Sequence, residues 1–332
     1  MKPAILLLSL ACLCGEVCAQ SLVIPAAPAP PPEPAAAETP ASGPEFEVRP
    51  VQDWLEAQVE LHRRGFSCGS IDGVRGAQSA AALRAFQRTA SLPETGDLDP
   101  ATREILQLTA PALGAHLFSE RDLAALQPVP ETWLGKSEAT LLGYASALEL
   151  AAEVHRASPR LLQRLNPGVN WEAVEPGLSI AVPAVDRITL NARAAQIHVK
   201  LAERQLQILD EAGTIIAHFP VSIARNVEKR PVGELRVTVV VPDPNYTFNP
   251  AVFPESEEAQ TLGRKLILPP GPNNPVGVAW IGLDRPGYGI HGTPEPEKVG
   301  RTESHGCFRL ANWDARTLLS LAWVGLPVFV DP

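Results

Sequence analysis

Three things are scarce in this 332-residue chain: cysteine beyond its first twenty residues, clustered positive charge, and long apolar runs. Of five Cys, Cys12, Cys14 and Cys18 lie near the start. Only Cys68 and Cys307 remain, too few for a disulfide framework. No run of Lys or Arg breaks a formal net charge of −9, and the pI is near 5.4. The chain therefore offers no basic face to displace counterions from phosphate, which argues against a nucleic-acid partner. Apart from Ala4 to Cys14, no stretch approaches the roughly 20 apolar residues of a membrane span. Apolar residues at 45% and charged residues at 20% exclude collagen-like, coiled-coil and wholly disordered chains. The length predicts two to three domains.

Proline is abundant instead, with 34 Pro against 24 Gly, nine of them between Ser21 and Pro50. Lys2, the apolar run and the small-residue site Val17-Cys18-Ala19 have the order of a secretory signal peptide over residues 1–19. Lipidation at Cys12, after Ser9-Leu10-Ala11, is the alternative. Residues 20–50 read as an extended Pro/Ala-rich linker that buries too little apolar surface to order itself. The expected location is the periplasm or cell envelope, with no membrane span left after signal cleavage.

Residues 51–110 carry helical periodicity: Leu55, Val59 and Leu61, then Ala82, Leu83 and Phe86. Asp99 and Pro100 announce a third helix as N-cap and first position. The segment resembles the peptidoglycan-binding type 1 domain through Asp72, Gly73, Gly76, Ser79, Ala82, Leu83, Phe86 and Gln87, with Leu92-Pro93-Glu94-Thr95-Gly96 following. Residues 139–184 show an amphipathic run (Leu148, Leu150, Ala151, Val154), Ser158-Pro159 opening a second helix, and Asn166-Pro167-Gly168 stopping it. They resemble a LysM module, a βααβ unit that binds glycan chains. Ser146-Ala147-Leu148 stands where that family has Gly-Asp-Thr, so glycan binding and a spacing role both stay open.

From residue 186 to residue 332 the pattern is β, with Gln205-Leu206-Gln207-Ile208 and Leu235 to Val241 as strands and Asp210 to Gly213 as a hairpin turn. One later helix is expected, capped by Asn312 and stopped by Gly325. The whole is a multidomain α+β chain: three small helices, a βααβ module, and a mostly antiparallel β-sandwich or barrel. Cys307 lies in Ser304-His305-Gly306-Cys307-Phe308-Arg309, among glycine, histidine and arginine. Such neighbours lower a thiol pKa and favour a nucleophile. A Cys68–Cys307 disulfide would need Cα atoms within about 7 Å. Zinc held by His291, His305 and Cys307 would need a spacing unlike ordinary zinc sites, so no metal is expected.

This region resembles the L,D-transpeptidase catalytic domain (YkuD type), whose H-G-T and S-H-G-C-x-R motifs stand at His291-Gly292-Thr293 and Ser304 to Arg309. Leu268 to Gly277 and Tyr288-Gly289-Ile290 extend the match. The resemblance implies that Cys307 attacks a stem tetrapeptide between its third residue and the terminal D-alanine. His291 would move the proton. Gly306 and Cys307 would supply the oxyanion N–H groups, with Ser304 and His305 shaping the site. Arg309 would pair with a substrate carboxylate, with Gly292 and Tyr288 also lining the substrate. The resemblance places the imidazole against a backbone carbonyl with no triad carboxylate, and it requires no cofactor. The implied partner is peptidoglycan, both stem peptides and glycan strands. A second stem's amine would give a 3→3 cross-link, water a carboxypeptidase, and a protein lysine a wall-anchored protein. A non-catalytic wall-binding protein is the reading outside enzymology. The Pro-rich loop 242–263 is expected to wall the substrate cleft.

Overall fold

The computed structural model describes residues 46–185, 190, 192–253, 256–301 and 306–332. The expected signal peptide and most of the linker lie outside these residues, as do Ser304 and His305. Among the described residues no helix is long and apolar enough to cross a membrane.

The N-terminal module comprises β1 (Arg49–Pro50), α1 (Trp54–Arg63), α2 (Ala77–Thr89), α3 (Pro100–Ile105) and β2 (Gln107–Leu108), with β1 and β2 antiparallel. Asp99 caps α3 by accepting from Thr102 N, and Pro100 takes the first position. Leu61, Leu83, Phe86 and Leu106 form the core. The motif residue Gln87 is fully buried. Its amide donates to Thr102 Oγ1 at 2.8 Å, and its oxygen accepts from Gly96 N at 2.8 Å. Gln87 thus ties two turns together, as a buried amide must when no water reaches it.

The middle unit begins earlier than residue 139. β3 (Leu113–Leu117) comes first, then α4 (Glu120–Ala124), α5 (Trp133–Glu138), α6 (Ala147–Val154), α7 (Pro159–Leu165) and β4 (Ser179–Pro183). β3 pairs antiparallel with β4, Ala115 opposite Ala181, so the strand-helix-helix-strand order closes over 113–183. The segment bearing α4 and α5 is inserted within it. β3 escapes the sequence pattern because it is short and mostly exposed, with no buried face to impose alternation.

The C-terminal region has β5 (Gln196–Lys200), β6 (Gln205–Leu209), β7 (Ile215–Pro220), β8 (Gly233–Pro242), β9 (Tyr246–Phe248), α8 (Glu257–Leu262), β10 (Leu266–Leu268), β11 (Ala279–Leu283), β12 (Gly289–His291), β13 (Phe308–Arg309), α9 (Asn312–Leu321) and β14 (Pro327–Asp331). Eight strands form one sheet in the order β13-β12-β11-β8-β14-β5-β6-β7. Within it β12/β13 and β14/β5 are parallel, and the other neighbours are antiparallel. Just beyond β7, Ser222 exchanges backbone hydrogen bonds with Arg309 at 2.9 and 3.0 Å, so the two edges of the sheet meet and it curls around its core. Ile197, Ile208, Phe219, Ile281, Ile290 and Phe308 fill that core. Asn312 does not cap α9: Ala311 is the N-cap residue, and Asn312 is the first helical residue.

The modules are joined through backbone as well as side chains. Ser67 N donates to His218 O at 2.8 Å, and His218 N to Gly65 O at 3.0 Å. The N-terminal module thereby covers the β7 edge, which would otherwise be open to foreign strands.

Candidate active site

Strand register builds the site. Ile281, Ile290 and Phe308 are cross-strand partners on the buried face. Their neighbours Trp280, His291 and Arg309, also cross-strand partners, therefore stand in a row on the opposite face. Cys307 immediately precedes β13, in the segment that leads into this row.

His291 is almost fully buried. Its Nδ1 lies 2.6 Å from Gly292 O. A carbonyl only accepts, so Nδ1 carries the hydrogen and Nε2 keeps its lone pair. The indole of Trp280 stacks on the imidazole, with centroids 5.6 Å apart and planes at 23°. Burial pulls the imidazole pKa down to about 4, with Arg309 adding to the effect and the Gly292 carbonyl opposing it. The ring is therefore neutral at pH 7.

Cys307 is half-buried and, like Cys68, a thiol outside any disulfide. Its Sγ points to Gly287 O at 3.5 Å. Burial pushes the thiol pKa up, against the Gly289 backbone N–H and the charge of Arg309, which pull it down. The sequence expectation of a lowered pKa is corrected here: the polar neighbours are present, but desolvation of the thiolate outweighs them. Cys68 is buried and its thiol is raised further by desolvation, which makes it inert packing.

Arg309 Nε is buried without a hydrogen-bond partner among the described residues. Tyr288 sits in the turn before β12, its ring against the core and 4.6 Å from the Arg285 guanidinium carbon. Gly292 owes its identity to packing. A Cβ there would lie 2.2 Å from Asn312 Oδ1, and the Gly292 carbonyl is what orients His291. Gly306 leads directly into Cys307.

Three contributors escaped the sequence reading. Trp280 is one, visible only through its register with His291. Asn312 is another: its amide donates to Glu153 at 2.9 Å and Pro272 O at 3.1 Å, and its oxygen accepts from Val278 N at 3.3 Å. The third is Tyr246 on β9, inside the 242–263 segment. Burial raises its hydroxyl, and nearby Cys307 raises it further. β9 pairs antiparallel with β10, just beyond that segment, and the pair is backed by α5. Trp133 stacks on Phe248 at 4.3 Å, and Glu258 accepts from Trp133 N and Leu134 N, both at 3.0 Å. No group of three metal-ligating side chains occurs among the described residues.

The fold thus sets a buried imidazole with an available Nε2 and an arginine side by side on one sheet face, next to the thiol-bearing segment before β13. Residues 194–330 match the family model described as "L,D-transpeptidase catalytic domain", and residues 50–106 the one described as "Putative peptidoglycan binding domain". The C-terminal region belongs to the L,D-transpeptidase catalytic-domain family, and the chain is an enzyme of that class. "Putative L,D-transpeptidase YkuD" of Bacillus licheniformis is 28% identical over 186 residues, 56% of this chain and 93% of that protein. "Probable L,D-transpeptidase YbiS" of Escherichia coli is 27% identical over 193 residues, 57% of this chain and 61% of that protein. The crystal structure of L,D-transpeptidase 3 from Mycobacterium tuberculosis aligns with 48% of this chain and 77% of that one, at 15% identity and a TM-score of 0.33.

Proposed function

We propose that the protein is an extracytoplasmic cysteine L,D-transpeptidase acting on peptidoglycan stem tetrapeptides. The observation that carries this reading is the cross-strand pairing of His291 with Arg309, which sets the imidazole beside the segment that bears Cys307, with burial holding the imidazole pKa at about 4. Because the thiol pKa is raised, little thiolate exists before substrate arrives, so a base must take the proton during attack. Neutral His291 Nε2 is that base. Cys307 Sγ then bonds to the carbonyl carbon of the third stem residue. The tetrahedral oxygen is held by the N–H groups of Gly306 and Cys307. His291 returns the proton to the departing D-alanine amine, and a thioester remains. An amine from a second stem resolves it, giving a 3→3 cross-link. Arg309 pairs with a substrate carboxylate, a fork-shaped donor meeting a planar acceptor. Ser304 and His305 shape the site, and the N-terminal module holds the polymer.

Intact-mass spectrometry of the protein with a disaccharide-tetrapeptide, wild type beside Cys307→Ala, tests the reading. The expected result is an acyl adduct and released D-alanine in the wild type alone. A dimeric product identifies an amine acceptor and a tripeptide identifies water. A folded wild type that binds sacculi without adduct or turnover would overturn the enzymatic reading in favour of adhesion.

A further inference from the structure

Gln78, on the first turn of α2 in the N-terminal module, reaches across to the loop that joins His291 to Cys307. Its amide donates to Val299 O at 2.6 Å. Val299 lies eight residues after His291 and eight before Cys307, so the hydrogen bond holds the midpoint of that loop. The slot for the amide is built by both domains. A Cβ on Gly69 would lie 2.5 Å from Gln78 Oε1, and one on Gly300 would lie 2.6 Å from Gln78 Nε2. Both glycines also have left-handed backbone, with φ of +74° and +71°, which other residues adopt at a cost. From the other side Ser222 Oγ accepts from Gly300 N at 2.9 Å, and Arg204 donates to Gly300 O at 3.2 Å. Ser222 is also the residue whose backbone closes the sheet onto Arg309. The docking of the two domains has separate support away from this loop, in the Gly65–Ser67 pairing with His218 and in the Ser67 hydroxyl on Asp314 at 2.9 Å.

We propose that Gln78 is a positioning residue for the reaction, so that the peptidoglycan-binding module completes the catalytic loop in addition to holding polymer. The inference rests on the acyl-transfer reading of Cys307. With Gln78 in place, Val299 and Gly300 are held from both domains, and the chain running on to Gly306 and Cys307 starts from a fixed point. Without it, Val299 loses the hydrogen bond that ties it to the N-terminal module. A nucleophile misplaced by an ångström loses rate without losing substrate affinity.

The test uses the full chain. Gln78→Met keeps the side-chain volume and removes the donor, while Gln78→Glu keeps an acceptor and removes the donor. Ser67→Ala removes the interdomain hydrogen bond to Asp314 and the acceptor of Gly69 N, so it loosens the Gly69 side of the slot while leaving the Gln78 bond to Val299 in place. Both Gln78 variants should lower kcat for tetrapeptide about ten-fold, the worth of one ordinary hydrogen bond, with KM within two-fold. Both should also change the rate at which iodoacetamide alkylates Cys307. Ser67→Ala should lower Tm at least as much and leave kcat and alkylation at wild-type values. Wild-type kcat and alkylation in the Gln78 variants would overturn the proposal, as would an equal loss in Ser67→Ala at matched Tm. If the wild type shows no turnover, the acyl-transfer reading fails, and the alkylation rates alone decide whether Gln78 positions the thiol.

Discussion

The catalytic region is braced by its two neighbours with different chemistry. At the junction with the N-terminal module a neutral amide, Gln78, bonds a backbone carbonyl. At the junction with the middle unit a carboxyl, Glu153, is buried against Asn312 and Tyr144 at 2.9 and 3.2 Å. Asn312 Oδ1 in turn packs against Gly292, whose carbonyl orients His291. The first brace acts on the loop leading to Cys307, the second on the residue that orients the base. An amide bond of this kind does not titrate. Glu153 does, because burial lifts its carboxyl to about 7, against the hydrogen bonds from Asn312 and Tyr144. The comparison teaches that two braces of similar geometry can differ in whether pH reaches them.

The scale for both braces is set by the groups they serve. His291→Ala should lower the rate of thioester formation by about 10²- to 10⁴-fold, read by mass spectrometry as adduct per unit time. A loss below ten-fold would remove His291 as the base. Next in size is Asn312→Ala. It strips partners from Val278 N and Glu153 and opens the space against Gly292. Unsatisfied buried groups cost about 1–3 kcal/mol each, so urea unfolding should show about 2–4 kcal/mol less stability together with slower acylation. Full stability would mean that the Glu153 junction bears no load.

How much of this was legible in sequence depends on the range of the interaction. Asp99-Pro100, Ser158-Pro159 and the Asp210 to Gly213 turn act within a few residues, and each forms as read. The strand runs at 205–208 and 235–241 fall inside β6 and β8, because their alternating or β-branched residues favour extended backbone. The motif around Cys307 could be read, but the sign of its thiol shift could not. Charge neighbours are adjacent in sequence, whereas the desolvation that outweighs them comes from the whole fold. Asn312 looks like a helix cap from its neighbours, yet its side chain turns inward to Glu153, 159 positions away. The partners of Gln78 were hidden for the same reason, since Val299 and Gly300 lie far along the chain.

Glu153→Gln sharpens the comparison between braces by about as much as one titration allows. The folded carboxyl, at about 7 against an ordinary 4.5, binds its proton more tightly than the unfolded one. Its penalty is therefore absent below about pH 4.5, grows as pH rises, and is complete above 7. At about 1.4 kcal/mol per pKa unit, the full penalty is on the order of 3 kcal/mol. Glu149 raises the carboxyl further, and Arg316 opposes it. The substituted amide would accept from Asn312 and donate to Tyr144 without charge. Relative to wild type, the variant should gain stability between pH 5.5 and pH 8 in urea melts. The difference between Gln78→Met and wild type should stay flat over the same range. Parallel slopes for the two variants would erase the distinction.

The smallest expected effect tests how the base itself is held. Trp280 covers the imidazole, and burial is the largest cause of its low pKa. Trp280→Leu keeps an apolar side chain but uncovers part of the ring, so the imidazolium is better solvated and the pKa climbs back toward 6.5. Protonated His291 cannot accept the thiol proton, so activity is lost as pH falls through that pKa. The acid limb of kcat/KM, expected near pH 4 in the wild type, should move up by about one unit in the variant while the rate at pH 8 changes little. An acid limb that stays in place would mean that the indole does not desolvate the base, and that the low pKa is set by the Gly277, Gly292 and Asn312 side of the pocket, which the Glu153 brace controls.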